Sequence, residues 1–239
     1  MRLRVSESRP RAGRYAFRVV RPRPALRRTT LSDPMRDWGY LVGDHDGLSR
    51  LAALFSFAAY SPHTVVHVPL RDAVPRTFAP GVPVDLVLVH QSLGLRPSSW
   101  PALRRGTTRG TPATVRTDER RTARHAADWQ ARWDQRWDHL DRVDRIQPAV
   151  HARTLFLFGA RDTFASASVH LELAAGFGPL GKGAAEGRDV LVTSLSTHLP
   201  LTLGRGAELD IGFQAYPPYD HFRRPGRSAS RRSRTAASP

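Results

Sequence analysis

The chain has 239 residues, of which 40% are hydrophobic, and it contains no cysteine. That apolar content supports a folded core and excludes a chain that is disordered throughout. The lack of cysteine excludes disulfides and thiolate metal sites. The formal net charge is +16, but residues 1–30 carry +9 and residues 223–239 carry +6, so the rest is nearly neutral. The sequence therefore predicts a basic flexible arm (1–30), an α/β domain (31–222) and a basic disordered tail (223–239). Within the arm, residues 15–20 alternate well enough to add an edge strand.

The two basic segments bear on partners and location. Arginine-rich tails attract polyanions without sequence specificity, so non-specific contact with nucleic acid is expected. The chain has 36 arginines and only one lysine, Lys182, a skew that GC-rich coding would also produce. No apolar run is long enough to cross a bilayer, and the N-terminus lacks the apolar segment of a secretory signal. We therefore expect a cytoplasmic protein with no membrane partner and an unidentified ligand or protein partner.

Hydrophobic periodicity and turn residues predict the elements of the domain. In chain order these are a strand over 38–42, a turn in which Asp46 caps the next helix, a helix over 48–60, a strand over 63–70, a strand over 84–90, a short amphipathic segment with Trp100 and Leu103, a surface linker over 106–117, a helix over 118–146, a strand over 153–159, a helix over 165–175 ended by Gly176, a strand over 189–195, and a hairpin pairing 199–203 with 208–213.

The order of these elements predicts the fold class. The strand over 84–90 has a continuous apolar run between Asp85 and His90, which is typical of a strand covered on both faces in the middle of a sheet. Trp129, Trp133 and Trp137 fall on one face of the helix over 118–146, and we interpret this stripe as a core-packing face. The sequence therefore predicts an α/β layered domain, with a mixed, largely parallel sheet flanked by helices and a C-terminal β-hairpin.

One stretch suggests catalysis. Residues 87–94, VLVHQSLG, resemble the nucleophile elbow of α/β-hydrolases, in which a strand runs into a sharp turn that carries serine. Residues 155–162, LFLFGARD, resemble the segment that carries the acid in that family. The resemblance implies Ser92 as nucleophile, His198 as base and Asp162 as the residue that orients the imidazole.

The same stretch departs from that family's pattern. His90 stands where the elbow has glycine, and Pro97 and Pro101 interrupt the helix that should follow. We therefore favour a non-catalytic binding or regulatory domain. The alternatives are a serine-hydrolase-like acyl hydrolase and a protein that associates with nucleic acid through its basic tails.

Two further patterns are interpreted as structural. Residues 176–182 fit Gly-x-x-x-x-Gly-Lys, but the order is helix before and strand after, whereas a phosphate-binding loop needs the reverse. His63 and His67 share one face of a strand and His90 ends another, without a known metal-ligand spacing. We therefore expect neither a metal nor a cofactor.

Overall fold

The computed structural model describes residues 1–35, 39–73, 81–136, 145–180, 190–194 and 209–213. Within these ranges the chain forms strands and helices with the following bounds: β1 Arg2–Ser8, β2 Arg11–Ala12, β3 Tyr15–Ala16, β4 Arg18–Pro22, β5 Thr29–Leu31, β6 Gly39–Gly43, α1 His45–Ala59, β7 Thr64–Val68, β8 Asp85–His90, α2 Trp100–Gly106, β9 Thr111–Arg116, α3 Glu119–Arg136, β10 Gln147–His151, β11 Thr154–Gly159, α4 Arg161–Leu180, β12 Val190–Ser194 and β13 Leu209–Phe213.

The described strands form one large mixed sheet, a smaller second sheet and a two-stranded antiparallel hairpin of β2 and β3. The large sheet has the order β10-β11-β8-β7-β4-β1-β9, and the small sheet has the order β12-β13-β6-β5. In the large sheet β8 pairs in parallel with β11, and β4 pairs in parallel with β7, while the other neighbours are antiparallel. The predicted layered α/β fold with a mixed sheet is confirmed, although parallel pairs are fewer than predicted.

The two faces of the large sheet bury separate apolar clusters. Helices α1 and α4 pack together over one face, and α3 packs against α4. Trp129 is buried in this main core, and Trp133 stacks on it with ring centroids 5.4 Å apart. The opposite face is covered by α2, whose Trp100 and Leu103 pack with Val87 and Phe156 in the second cluster. Strand β8 is thus covered on both faces, as its continuous apolar sequence predicts.

The N-terminal segment differs from the predicted flexible arm. Strands β1 and β4 pair with each other inside the large sheet, between β7 and β9. Val5, Val19 and Val20 are fully buried there. The arginines of β1 and β4 occupy exposed or half-buried positions beside these valines. They lower the mean hydropathy of the segment, but they do not prevent the two strands from pairing within the sheet. The predicted tail over 223–239 lies outside the described residues.

Several local predictions are corrected by the structure. Part of the predicted linker over 106–117 is the edge strand β9, which pairs with β1. The α1 cap is Asp44, not Asp46, because the Asp44 side chain accepts a hydrogen bond from the Gly47 backbone N–H at 2.8 Å. Helix α4 starts earlier than predicted and continues past Gly176.

The predicted C-terminal hairpin is only partly within the described chain. Strand β13 pairs antiparallel with β12 and parallel with β6. Its predicted partner over 199–203 lies outside the described residues. No helix in the described part of the chain combines the length and apolar character that a membrane span requires.

Candidate functional site

The alternation of side chains in three neighbouring strands brings Arg21, His67 and Asp85 to one face of the large sheet. Val20 of β4 is in register with Val66 of β7, which places the next residues, Arg21 and His67, side by side. On β8, Asp85 shares a face with Val87, the register partner of His67. This is the face that α2 covers, so polar side chains lie at the end of an otherwise apolar layer.

Asp85 organises this end of the sheet. It is only 3% exposed, and its Oδ1 accepts hydrogen bonds from the backbone N–H groups of Leu70 and Arg71, both at 3.1 Å. Its Oδ2 accepts from Nε of Arg71 at 2.9 Å and from a terminal nitrogen of the same guanidinium. Burial alone would raise the pKa of the Asp85 carboxyl, but the hydrogen bonds from the guanidinium and the backbone N–H of Arg71 outweigh it and hold the pKa well below its usual range. The carboxylate is therefore charged at neutral pH.

His67 is buried beside this carboxylate without a hydrogen bond to it. Its Nε2 lies 3.7 Å from Asp85 Oδ2, and the edge of its ring packs against Trp100 with centroids 4.9 Å apart. Among the described residues, neither ring nitrogen has a hydrogen-bond partner. Burial lowers the pKa of His67, and this outweighs the opposite effect of Asp85, so the imidazole is neutral at pH 7.

These groups line a cavity of about 330 Å³ between β4, the β7–β8 connection and the end of α2. We call it the arginine cavity and define it by its ionisable lining residues, which are Arg21, His67, Arg71, Asp72, Asp85, Arg104 and Arg105. With His67 neutral, these side chains carry a net formal charge of +2. The cavity is at the lower end of the size range of small-molecule sites, about 300–1,000 Å³.

The arginines of this cavity differ in how well they are paired. Arg71 is bound to Asp85, whereas Arg104 lies 3.7 Å from the same carboxylate and its side chain is 43% exposed. Arg21 donates only a long hydrogen bond of 3.3 Å to the carbonyl of Thr107. Burial lowers the pKa of Arg21, with Asp85 acting in the opposite direction. A partly desolvated guanidinium with a weak neutral partner favours an additional anion.

Ser92, the predicted nucleophile, lies at the opposite end of β8. It is in a short 3-10 turn, Gln91–Leu93, that follows the strand directly. Its Oγ is 2.7 Å from Nδ1 of His90, and its backbone N–H donates to the same Nδ1 at 3.3 Å. Since Nδ1 accepts from the backbone, it carries no proton, and the serine hydroxyl must donate to it. The ring nearest to Ser92 in the described chain is therefore His90, at the position where the hydrolase elbow has glycine.

Asp162, the predicted orienting acid, is paired with arginines in the described structure. Asp162 lies in the first turn of α4, where it accepts hydrogen bonds from Arg161 at 2.6 Å and Arg132 at 2.7 Å. Burial raises the pKa of Asp162, but these two guanidinium groups outweigh it and lower the pKa overall. No contact between Asp162 and Ser92 occurs among the described residues, and His198 lies outside them. The predicted triad stays a prediction.

The sequence singles out some residues of the arginine cavity, but it does not show that they lie next to one another. The alternation of His63 and His67 along their strand was visible, as was Asp85 at the start of the strongest apolar strand. The pairing of β4 with β7 was not, because Arg21 belongs to the segment predicted to be flexible. Within the described chain, no group of three or more His, Asp or Glu side chains is arranged to hold a metal ion.

Comparison of the chain with protein-family models, with curated proteins and with solved structures found no match. Its function therefore has to be inferred from the chemistry of the cavity and of the turn after β8.

Proposed function

We propose that this protein is a binding domain for a small molecule that carries a compact oxyanion, a phosphate or a carboxylate group, held in the arginine cavity. The observation that carries the proposal is Arg21, a partly desolvated guanidinium that lines the cavity and donates only a long hydrogen bond to a backbone carbonyl. Guanidinium groups match the geometry of phosphate and carboxylate groups and bind them through paired hydrogen bonds.

The neighbouring charges support the same ligand class. Asp85 neutralises Arg71 and fixes its orientation. The cations that face a ligand are then Arg21, Arg105 and Arg104, of which Arg104 keeps a longer contact of 3.7 Å with the same carboxylate. A volume of about 330 Å³ accommodates a small metabolite. This proposal gives a chemical identity to the ligand of the binding domain that the sequence favours.

The test is calorimetric titration of the whole protein with inorganic phosphate and with acetate, the simplest probes of the two oxyanion classes, at constant ionic strength. Arg104→Ala is the most informative variant, because its side chain is already 43% exposed and its loss should not affect folding. A hydrogen bond to a charged group contributes about 1.5–3 kcal/mol, so we expect affinity to fall by about 10- to 100-fold.

Arg116→Ala is the matched control, since Arg116 is an exposed arginine on the edge strand β9, outside the cavity lining. It should bind like wild type, apart from a small change due to net charge. Equal loss of affinity in both variants would mean that binding follows net charge, and the proposal would then be rejected. A folded wild-type protein that binds neither anion would also reject it.

The contact between Ser92 and His90 supports a second candidate, the acyl hydrolase. A neutral imidazole that accepts the serine proton is the arrangement required of a general base, and burial lowers the pKa of His90. A groove of about 840 Å³ lies beside this turn, between the β2–β3 hairpin and the start of α2. Ser92 Oγ would attack an acyl carbonyl while His90 Nδ1 takes its proton.

Labelling with a fluorophosphonate probe tests this candidate. In labelling, the serine oxygen displaces fluoride from phosphorus, and the base takes the serine proton. We expect labelling in wild type, none in Ser92→Ala and little in His90→Gln if His90 is the base. Labelling that survives in His90→Gln would point to another base, such as His198. The absence of labelling in folded wild-type protein would exclude an activated serine.

A further inference from the structure

His67 is the one group lining the arginine cavity, among the described residues, whose ordinary pKa lies between pH 5 and 8. The other ionisable groups of the lining are four arginines and the two carboxyl groups of Asp72 and Asp85. His67 is 2% exposed, and neither of its ring nitrogens has a hydrogen-bond partner in the described chain. It is therefore a buried, unsatisfied group that faces a cationic site.

The charges around His67 come from every element that packs against it. Asp85 of β8 lies 3.7 Å from its Nε2 and favours the protonated ring, whereas Arg21 of β4 and Arg104 of α2 oppose protonation. Trp100 of α2 contributes an uncharged ring edge. Arg71 and Arg105 add further positive charge to the lining, and Asp72 adds negative charge. In the empty cavity, burial and the arginines keep the imidazole neutral.

A bound oxyanion changes this balance. It adds negative charge to the cavity and pairs with the arginines that oppose protonation, so it favours the charged form of the neighbouring imidazole. We infer that His67 takes up a proton when an oxyanion binds in the arginine cavity, so that the protein binds its ligand more tightly as the pH falls. This inference rests on the proposed function and adds regulation by pH to it.

The direction and size of the effect follow from linkage. The pKa of His67 is higher with the anion bound than without it, so affinity is independent of pH above the bound-state pKa and rises as the pH falls below it. A single linked proton limits the slope to about tenfold in affinity per pH unit. Affinity becomes independent of pH again below the pKa that His67 has in the anion-free protein, because His67 is then protonated both with and without the anion.

Sulfate is the right probe, because it does not titrate between pH 5 and 8, whereas phosphate does. Sulfate affinity of the whole protein is measured by calorimetry from pH 8 to pH 5.5 at constant ionic strength. Each titration is repeated in two buffers with different enthalpies of ionisation, so that proton uptake is obtained on the wild type directly. We expect affinity to increase as the pH is lowered over this range, by no more than about tenfold per pH unit, with uptake of up to one proton.

His67→Gln should remove the dependence of sulfate affinity on pH, because glutamine does not titrate in this range. His151→Gln is the matched control, because His151 is an exposed histidine at the end of β10 and should leave the slope unchanged. Sulfate binding without proton uptake, or a slope that persists in His67→Gln, overturns this inference and leaves the proposed function standing. No sulfate binding at any pH overturns this inference as well, and the titrations with phosphate and acetate then decide the proposed function separately.

Discussion

Asp85→Asn is the substitution with the most sharply defined consequences for stability. The carboxylate is buried and accepts hydrogen bonds from two backbone N–H groups and from the guanidinium of Arg71. An amide keeps one oxygen acceptor but removes the charge, and it directs an N–H group at a guanidinium that also donates. Breaking a buried ion pair by removing one partner costs about 3–5 kcal/mol, and we expect about 3 kcal/mol here because the Arg71 side chain retains some access to solvent.

The same substitution has a pH signature that a simple packing defect would lack. The pKa of Asp85 is lowered by folding, so its contribution to stability is complete well above its unfolded pKa of about 3.9 and is lost as the pH falls. At pH 3 the unfolded chain has bound most of this proton and the folded chain has not. The difference in unfolding free energy between wild type and Asp85→Asn should therefore narrow by about 1.3 kcal/mol between pH 7 and pH 3.

Urea unfolding at both pH values measures this difference, with Asp72→Asn as control. Asp72 also lines the cavity, but it is exposed, so its substitution should change stability by less than about 0.5 kcal/mol at pH 7. If the difference in unfolding free energy between wild type and Asp85→Asn is the same at pH 7 and pH 3, folding does not lower the pKa of this carboxyl. The electrostatic account of the cavity would then be wrong.

Two further predictions concern the backbone. The turn between β10 and β11 holds Ala152 and Arg153 at φ values of 49° and 56°, a left-handed conformation that favours Asn and Gly. The double substitution Ala152→Asn and Arg153→Gly should therefore stabilise the fold by about 1 kcal/mol. A Tm lower than that of wild type would contradict this prediction. A Cβ on Gly159 would lie 2.8 Å from the buried ring of Phe164, so Gly159→Ala should lower the free energy of unfolding in urea by about 1–3 kcal/mol. Gly176→Ala is the control: this position on α4 faces open space, so the substitution should leave the free energy of unfolding unchanged or raise it.

The sequence predicted best the elements whose signal lies within one segment. The run from Asp85 to His90 contains enough consecutive apolar residues to identify a doubly covered strand, and α1 shows its apolar positions at helical spacing. Strand β1 was missed and β4 was expected at most as an edge strand over 15–20, because each buries only a few side chains beside arginines. Their stability comes from long-range pairing with β7 and β9, which local composition does not encode.

The candidate site illustrates the same limit. His67 and Asp85 stand out in the sequence as polar residues at the ends of apolar strands, but their proximity depends on the antiparallel pairing of β7 and β8. Likewise, Ser92 was identified from its position after β8, whereas its contact with His90 depends on a local turn that a hydrolase pattern does not contain. The sequence alone indicates which polar residues stand at the ends of apolar strands. Which of them lie next to one another follows only from the order in which the strands pair.

The distribution of charge also takes on a different meaning once the fold is known. Ten arginines in residues 1–30 suggested a tail for polyanions, yet Arg21 lines the arginine cavity, Arg18 pairs with Glu7 at 2.7 Å, and Arg28 lies 3.6 Å from the buried Asp44. Deleting this segment would remove two inner strands of the sheet, so a loss of nucleic-acid binding after that deletion would report unfolding. Under the proposed function, Arg21 is the arginine of this segment that would contact the ligand, and a single substitution there, rather than truncation, would separate binding from folding.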